Sequence, residues 1–293
     1  MKLSVYIPCY NAASYLERSL SGLLNQTHPP DEILVIDDGS TDNTVEIASK
    51  FPARVIRHAQ NKGLAAARNT AFRAAKNEMV ASLDADCVAA PDWLARMVTH
   101  LDDPDVVGVG GRLVEGVQVS VADRWRRAHM PQEWGDSYVR NPKFLFGCNN
   151  LFRRSTVLNA GGYDESMRTN GEDCDLSRRL MLAGHDLVYE PSAVATHLRQ
   201  DDIHSILDTY WRWWKSGVNA YSTGMRLRTV IGHAIFVHFR YTFLEIVSRD
   251  LRARRFELLP LDLLVLMYLP YRDFRLWLAS NSAAASQRSA AGA

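Results

Sequence analysis

Short apolar runs alternate with segments of helical spacing along the first 90 residues of the chain. Four runs have the length and the polar ends of buried strands, at residues 3–7, 32–36, 54–57 and 79–83. Apolar residues recur every three or four positions after the first run, and a further helix is predicted over residues 64–76. Strands that alternate with helices in this way predict an α/β fold with a mostly parallel central sheet flanked by helices.

Polar side chains directly follow three of these four runs. The pairs are Tyr10 and Asn11, Asp37 and Asp38, and Asp84 and Asp86. Because open α/β sheets bind ligands at the carboxyl ends of their strands, we expect these side chains to meet at one edge. Such a cluster suits a nucleotide crevice, which needs a pocket for the base, carboxylates for ring or ribose groups and a site for the phosphates.

Asp84 and Asp86 end the fourth run and are separated by one residue. Two carboxylates this close repel each other unless something positive is shared between them. Mn²⁺ or Mg²⁺ is the simplest candidate, because these cations take carboxylate oxygens and bridge to substrate phosphates. The alternative is that the two side chains only solvate a turn. No run is followed by GxGxxG or GxxxxGK[ST], which argues against dinucleotide redox chemistry and P-loop hydrolysis.

The composition is that of an ordinary globular protein. The 293 residues are 47% hydrophobic and 23% charged, and the net charge of +1 argues against a nucleic acid partner. The four cysteines form no CxxC pair, so neither a zinc site nor a disulfide framework is predicted. The N-terminus runs straight into a strand-like segment without the apolar core of a signal peptide, and we therefore expect a cytoplasmic protein.

A series of short motifs resembles, in its order and spacing, the family 2 glycosyltransferases of GT-A fold. Each motif is weak alone, but the ordered set covers roughly residues 3 to 200. The matching stretches are residues 5–11, 20–26, 37–42, 61–63, 67–69, 83–86, 147–154, 161–165 and 171–176. The resemblance implies a Rossmann-like GT-A domain.

The resemblance also implies a reaction and its partners. Enzymes of this kind move a sugar from a nucleotide diphosphate sugar, with UDP favoured as the carrier, to an acceptor hydroxyl with inversion at the anomeric carbon. The acceptor would be a glycan, a lipid-linked sugar or a protein, in cell-surface glycan, glycolipid or polysaccharide synthesis. Mn²⁺ or Mg²⁺ would neutralise the departing pyrophosphate.

Site residues follow from the resemblance, position by position. The implied general base is Asp173, with Glu172 and Asp175 as alternatives. The implied metal site consists of Asp86, Asp84 and His197. The implied nucleotide contacts are Pro8, Tyr10, Asn11, Asp38, Arg68 and Asp84, and the acceptor side is Gly147, Asn149 and Trp134.

Several of these residues also have a structural interpretation. The acidic turn before residue 174 would complement a helix dipole, and His197 would be an ordinary core or surface histidine. Tyr10 would pack in the core, and Arg68 would lie on a solvated helix face.

The composition changes after residue 200. We predict a catalytic domain over residues 1–200, with a nucleotide half over about 1–110 and an acceptor half over about 111–200. A helical extension over 201–280 and a disordered Ala/Ser-rich tail over 281–293 follow.

The apolar segments of the extension are interrupted by polar residues. We expect these segments to form amphipathic helices that bind an anionic membrane surface peripherally, with Arg249, Arg252, Arg254 and Arg255 between them. The alternative is that they pack on the catalytic domain or form a homodimer interface.

Processive relatives carry a QxxRW motif in this region. Here Arg212 and Trp213 are present but Thr209 replaces the glutamine, so transfer of one sugar or a few is expected.

Two other functions compete with this interpretation. A non-catalytic nucleotide-sugar-binding relative or scaffold would keep the fold, but it would not need Asp173 beside the other carboxylates. The segment that begins at Asp84 also fits the DxD motif of haloacid-dehalogenase-type phosphatases, whose first aspartate is a nucleophile. Those enzymes carry the motif on their first strand, whereas three strands precede it here.

Overall fold

The computed structural model describes residues 1–167, 170–217 and 227–291. The chain forms two compact units, which are described separately. Unit 1 comprises Met1–Val117 and Pro131–Arg199, and unit 2 comprises Gln118–Met130 and Gln200–Ala293. The change at residue 200 therefore coincides with a unit boundary, but residues 118–130, which we expected in the acceptor half, belong to unit 2.

Unit 1 is built on one mixed sheet, for which the described residues supply nine strands. They are β1 Leu3–Cys9, β2 Glu32–Asp37, β3 Arg54–Arg57, β4 Met79–Leu83, β5 Cys87–Ala89, β6 Val106–Glu115, β7 Val139–Arg140, β8 Asn149–Arg153 and β9 Asp186–His197. Their order is β3-β2-β1-β4-β8-β6-β9-β5, with β7 beside β9. The first four strands are parallel, as predicted, while β8 runs antiparallel to both β4 and β6.

The strand directions bring one set of ends to the same edge of the sheet. Leu83 pairs with Asn149, and Glu115 pairs with His197, which also pairs with Cys87. The carboxyl ends of β1, β2, β4, β6 and β9 and the amino end of β8 therefore meet. This edge, called the polar edge below, is formed by the ends at Cys9, Asp37, Leu83, Glu115, Asn149 and His197.

The helices of unit 1 cover both faces of this sheet. Those of unit 1 are α1 Leu16–Leu24, α2 Thr44–Ala48, α3 Leu64–Ala74, α4 Trp93–Val98, α6 Arg154–Asn159 and α7 Glu172–Leu182, and those of unit 2 are α5 Val121–His129, α8 Ile203–Gly217, α9 Leu227–His233, α10 Ser248–Arg252 and α11 Leu259–Ala291. Strand residues alternate between two cores, as the twofold side-chain period requires. In β1, Val5 and Ile7 face the core of α1 and α4, whereas Tyr6 faces the core of α3 and α7.

Unit 2 is helical and has its own core. Trp125 of α5 is buried with Ile206 and Tyr210 of α8 and with Leu261 and Val265 of α11. Two π-helical segments, Ala234–Phe239 and Thr242–Val247, lie between α9 and α10. None of the helices in the described residues combines the length and the apolar character needed to cross a membrane.

Residues 118–130 join unit 2 through polar contacts as well as packing. Ser120 and Asp123 form a reciprocal capping box at the start of α5. Asp201 accepts from the buried Arg126 guanidinium, and its backbone N–H donates to Asp123 Oδ1 at 2.7 Å. These partners are about 80 positions apart in sequence, so local patterning could not reveal them.

The tail differs from the prediction. Helix α11 extends to Ala291, where the sequence predicted disorder from residue 281. The Ala-rich composition explains the difference, because alanine has the highest intrinsic helix propensity.

Candidate active site

The ends of β1 and β2 are joined by short polar contacts. Asn11 adopts a left-handed backbone conformation with φ of 52°, and its side-chain oxygen accepts a hydrogen bond from Thr41 N–H at 2.9 Å. The neighbouring residue Tyr10, which follows the end of β1, is 53% exposed. Pro8, by contrast, is a buried member of β1 paired with Ile36, and it does not line an open pocket.

Asp38 lies in the turn after β2 and is buried. Its carboxylate accepts hydrogen bonds from the N–H groups of Lys62 and Gly63, at 2.9 and 2.8 Å, and lies 2.7 Å from His58 Nδ1. The other ring nitrogen of His58 is 2.9 Å from Thr70 Oγ1. Asp38, expected to contact a nucleotide, is thus occupied in holding the turn that starts α3.

Arg68 also differs from its expected place. Its guanidinium is buried, forms an ion pair with Glu172 and lies 3.5 Å from Asp84 Oδ1. It also lies over the Tyr163 ring, 5.5 Å from the ring centroid. A Cβ atom at Gly147 would meet Arg68 Nη1 at 2.1 Å, so a larger residue there would have to displace the Arg68 guanidinium. Arg68 is therefore a buried residue that pairs with the acidic side chains of the polar edge. It is neither an exposed nucleotide contact nor part of a solvated helix face.

The first turn of α7 presents three acidic residues in three different environments. Glu172 is buried against Arg68, and burial raises its pKa although that cation opposes the shift. Asp175 forms an ion pair with Arg179 at 2.7 Å. Asp173 is only half-buried, and its Oδ2 accepts a hydrogen bond from Gly147 N–H at 3.0 Å. Among the described residues, no cation pairs with Asp173.

Asp86, His197 and Glu115 form a chain of contacts at the polar edge. His197 Nε2 lies 3.2 Å from Asp86 Oδ2, and His197 Nδ1 lies 2.8 Å from Glu115 Oε2. The histidine and Glu115 side chains are buried, whereas that of Asp86 is 27% exposed. The chain therefore begins at a surface group and ends in the interior.

These contacts change the proton affinities of the groups. Burial opposes protonation of His197, yet its bonds to Asp86 and Glu115 raise its pKa to about 9. Burial also opposes ionisation of Asp86, but the hydrogen bond from His197 keeps the Asp86 pKa below its usual value. Burial raises the pKa of Asp84 in spite of the nearby Arg68.

The side chains at this edge fit a divalent cation. His197 has the environment of a metal-binding imidazole, because one ring nitrogen is oriented by Glu115 while the other faces a carboxylate. Asp84 Oδ1 is buried, and the only cation near it in the described part of the chain, Arg68 Nη2, lies 3.5 Å away, at the limit of a hydrogen bond. Two carboxylates and an imidazole are a donor set that Mn²⁺ accepts.

The expected acceptor side is only partly open. Trp134 is half-buried, stacks on Phe146 with ring centroids 5.5 Å apart, and donates from Nε1 to the Phe144 carbonyl at 2.8 Å. Asn149 is fully buried, accepts from Trp93 Nε1 at 2.6 Å and donates to backbone carbonyls. Asn149 is thus a structural residue, which corrects its expected place on the acceptor side. Gly147, also expected there, instead donates its N–H to Asp173.

Sequence reasoning missed two residues of this region. Glu115 follows an apolar run at the end of β6, and only its register with His197 identifies it. His58 follows the short strand β3 and lies beside Asp38 because β2 and β3 are parallel neighbours. In both cases the only sequence signal was a polar side chain at the end of a strand or directly after it.

Comparisons with known proteins identify the family and the fold of the chain. The sequence matches the family model described as Glycosyl transferase family 2 over residues 4–161, more than half of the chain. It is 33% identical over 210 residues to the pre-mycofactocin glycosyltransferase of Mycobacterium tuberculosis. That alignment covers 67% of this chain and 42% of the relative, so the chain spans about two-fifths of that protein's length.

Two solved structures share the fold. The mannosyltransferase PcManGT of Pyrobaculum calidifontis, solved with GDP-Man and Mn²⁺, superposes with a TM-score of 0.61 at 22% identity over 98% of this chain and 86% of its own. Residues 1–349 of Staphylococcus aureus TarS, solved with UDP, give 0.57 at 17% identity over 98% and 92%. These likenesses confirm the predicted GT-A architecture.

Proposed function

This chain belongs to the family 2 glycosyltransferases and has their GT-A fold, and on that premise we propose that it transfers a sugar from a nucleotide diphosphate sugar to an acceptor hydroxyl. The proposed reaction is a single displacement with inversion. The observation that carries it is the difference between Asp173 and the two other acids of its helical turn. Asp173 alone of the three combines partial exposure with the absence of a cation partner in the described residues.

Asp173 is proposed as the general base. A base must have a lone pair available and must reach the hydroxyl it deprotonates. Its Oδ2 is held by the Gly147 N–H and its Oδ1 by the Cys174 N–H at 2.8 Å, so the carboxylate is oriented without being neutralised. Glu172 and Asp175 are each bound to an arginine, which makes them poorer bases.

Asp86, Asp84 and His197 are proposed to hold Mn²⁺ or Mg²⁺ against the donor pyrophosphate. When bound, the cation would supply charge neutralisation for the leaving diphosphate. Within the protein, Glu115 fixes the ring of His197, and Arg68 holds Asp84 from beneath. Tyr10, an exposed aromatic ring at the end of β1, is proposed to stack on the base, and UDP is the first carrier to test.

The test of the general base uses water as the acceptor, since no acceptor is specified. Release of UDP from UDP-glucose and UDP-N-acetylglucosamine, and of GDP from GDP-mannose, is followed with Mn²⁺. We expect Asp173→Asn to lower turnover about 10²- to 10⁴-fold with donor affinity retained. Asp175→Asn is the matched control from the same turn. Near-normal turnover in Asp173→Asn, or a collapse in Asp175→Asn instead, would reassign the base.

Thermal stability against the same nucleotides tests the donor site separately. A ligand at a hundred times its dissociation constant adds about 2.7 kcal/mol to the stability of the protein it binds. We expect a Mn²⁺-dependent shift with one base, lost in Asp86→Asn. Binding without any turnover in the wild-type protein would favour the non-catalytic alternative, and release of phosphate from a phosphomonoester would favour the phosphatase.

We further propose that unit 2 contacts an anionic membrane surface. Large apolar side chains are unusually exposed there, with Phe236 at 73% and Phe239 at 54%. Exposed arginines, among them Arg252 and Arg254, lie on the same unit and complement anionic headgroups.

Sedimentation with phosphatidylglycerol vesicles tests the membrane contact. We expect binding to fall in the double variant Phe236→Ser/Phe239→Ser but not in Leu182→Ser, which changes an equally exposed leucine of unit 1. Unchanged binding, or loss of a dimer in light scattering in place of loss of vesicle binding, would favour an interface between copies.

A further inference from the structure

Unit 2 contains a second cluster of a histidine and two carboxylates, which the proposed reaction does not use. His129 is the last residue of α5, Asp250 lies in α10, and Asp262 lies in the first turn of α11. The side chains of the two aspartates are fully buried and that of His129 is 2% exposed. Three separate helices thus direct potential metal ligands to one point inside the unit.

The distances within this cluster suit one small cation. His129 Nε2 lies 2.9 Å from Asp250 Oδ2 and 4.0 Å from Asp262 Oδ1. One donor atom from each residue lies within 4.8 Å of the others. A tetrahedral ion with ligands at about 2.0–2.2 Å separates its donors by roughly 3.4 Å. Shifts of less than an ångström would therefore let all three side chains reach the same ion.

The oxygen atoms of the two carboxylates differ in their other contacts. Asp250 Oδ1 lies 2.7 Å from Arg255 Nη2, and Asp262 Oδ1 accepts a hydrogen bond from Trp125 Nε1 at 2.8 Å. Asp262 Oδ2 is buried and no described N–H group donates to it, and the Asp262 carboxyl lies beside that of Asp250. Leaving a buried carboxylate oxygen without a partner is costly, so a positive ligand at this point would relieve the cost.

The charges of the cluster also leave room for a cation. When both are ionised, Asp250 and Asp262 carry two negative charges, and Arg255 supplies one positive charge. Burial, and then the neighbouring Asp250, raise the pKa of Asp262 to about 6, so it remains mostly ionised at pH 7. An imidazole with an ordinary pKa of about 6.5 is mostly neutral at pH 7. The buried group therefore carries an excess negative charge unless a further cation joins it.

We propose that His129, Asp250 and Asp262 bind a divalent transition metal ion that ties α5, α10 and α11 together, and that Zn²⁺ suits the site best. Imidazole nitrogen with carboxylate oxygen is a common zinc donor set, and Asp262 Oδ2 is available as a fourth donor. Ca²⁺ is less suited, because it takes six to eight oxygen ligands. This site shares no residue with the metal site proposed at the polar edge.

The experiment counts zinc in the Asp86→Asn variant, in which the site at the polar edge is disabled. The full-length protein is stripped with a chelator, loaded with Zn²⁺, desalted and analysed for metal per chain. His129→Gln and Asp262→Asn are added to that background, and His204→Gln, which changes an exposed histidine of the same unit, is the matched control. Circular dichroism verifies that each variant is folded.

We expect one Zn²⁺ per chain in the background and with His204→Gln, and none with His129→Gln or Asp262→Asn. X-ray absorption of the loaded background protein should report one imidazole nitrogen and carboxylate oxygens at about 2.0–2.2 Å, a readout that does not depend on whether the variants fold. The proposal is overturned if the background retains no zinc, if His129→Gln and His204→Gln retain equal amounts, or if the absorption spectrum lacks a nitrogen ligand.

Discussion

Each of the two histidine clusters consists of one histidine and two carboxylates, but their surroundings differ. His197 lies between Glu115 and Asp86 at 2.8 and 3.2 Å, and His129 lies beside Asp250 and Asp262 at 2.9 and 4.0 Å. The first cluster reaches the surface through Asp86, whereas both aspartates of the second are fully buried.

The pKa values of the two histidines move in opposite directions. Burial disfavours the charged form of both rings. For His197 the two carboxylates outweigh burial and raise the pKa to about 9. For His129 burial is the largest effect, and Arg255 and Arg249 add to it, so the pKa stays below its usual value despite Asp250. The charge around a histidine–carboxylate cluster, and not its composition, therefore decides its protonation.

The difference in exposure also separates the proposed roles. A cluster that reaches the surface can exchange a ligand with each catalytic cycle, because one of its groups remains accessible to substrate. A cluster sealed among three helices can bind an ion only as part of the fold, so its effect is on stability. The following predictions test this contrast.

The largest effect is expected from removing one carboxylate of each cluster. Asp250→Asn should lower the free energy of unfolding by about 3–5 kcal/mol, because the fully buried Asp250 carboxylate contacts both His129 and Arg255, and each hydrogen bond to a charged group contributes about 1.5–3 kcal/mol. At about pH 10, above the titration of His197, Asp86→Asn should lower it by less than about 1 kcal/mol, since a partly exposed carboxylate beside a neutral imidazole contributes little. With Mn²⁺ at neutral pH, Asp86→Asn should also abolish metal-dependent nucleotide binding. Urea unfolding of both variants measures the difference, and equal losses would contradict the contrast.

The pH dependence of stability should differ between the two histidines. In chelator-treated protein, protonated His197 has a folded pKa of about 9 against 6.5 when unfolded. Its contribution, about 3 kcal/mol, is therefore complete below pH 6.5 and is lost as the pH rises through 9. His197→Gln should flatten this fall. His129→Gln should not, because the lowered pKa of His129 moves its titration below this range. The same slope in both variants would refute the assignment.

The smallest effect is expected at Glu115, which contacts the proposed ion only through His197. Glu115→Gln should weaken Mn²⁺ binding about 10- to 100-fold, because the ring loses the carboxylate that orients it. Electron paramagnetic resonance of free Mn²⁺ in the presence of UDP measures this change. Glu133→Gln is the control, because Glu133 is bound to Arg112 at 2.6 Å and not to His197. Equal affinities in the two variants would remove Glu115 from the site.

Local patterning predicted much of unit 1. The strands Arg54–Arg57 and Met79–Leu83 have the predicted bounds, and α3 begins at the predicted residue, Leu64. The order of strands and helices follows from the spacing of apolar residues and from the Gly, Pro and Asn residues in turns. Both are signals that extend over only a few positions. The predicted convergence of Tyr10, Asp37 and Asp84 at one edge agrees with the structure, because strands β1, β2 and β4 are parallel.

Strand β9 marks the limit of such reasoning. A local strand signal covers only residues 187–190, whereas the strand runs over Asp186–His197 and includes Pro191. Its second half exists because it pairs with β6 and β5, and those partners are distant in sequence. The same pairing brings Glu115 to His197.

The sequence by itself determined the family, the α/β framework and the acidic edge of the sheet, because these depend on short motifs and local periodicity. Only the tertiary structure decided that Arg68, Asp38 and Asn149 are buried supports. It alone also brought His129 and Asp250 into one cluster from positions 121 residues apart. Burial and ion pairing are sums over partners from the whole chain, so no short stretch of sequence can specify them.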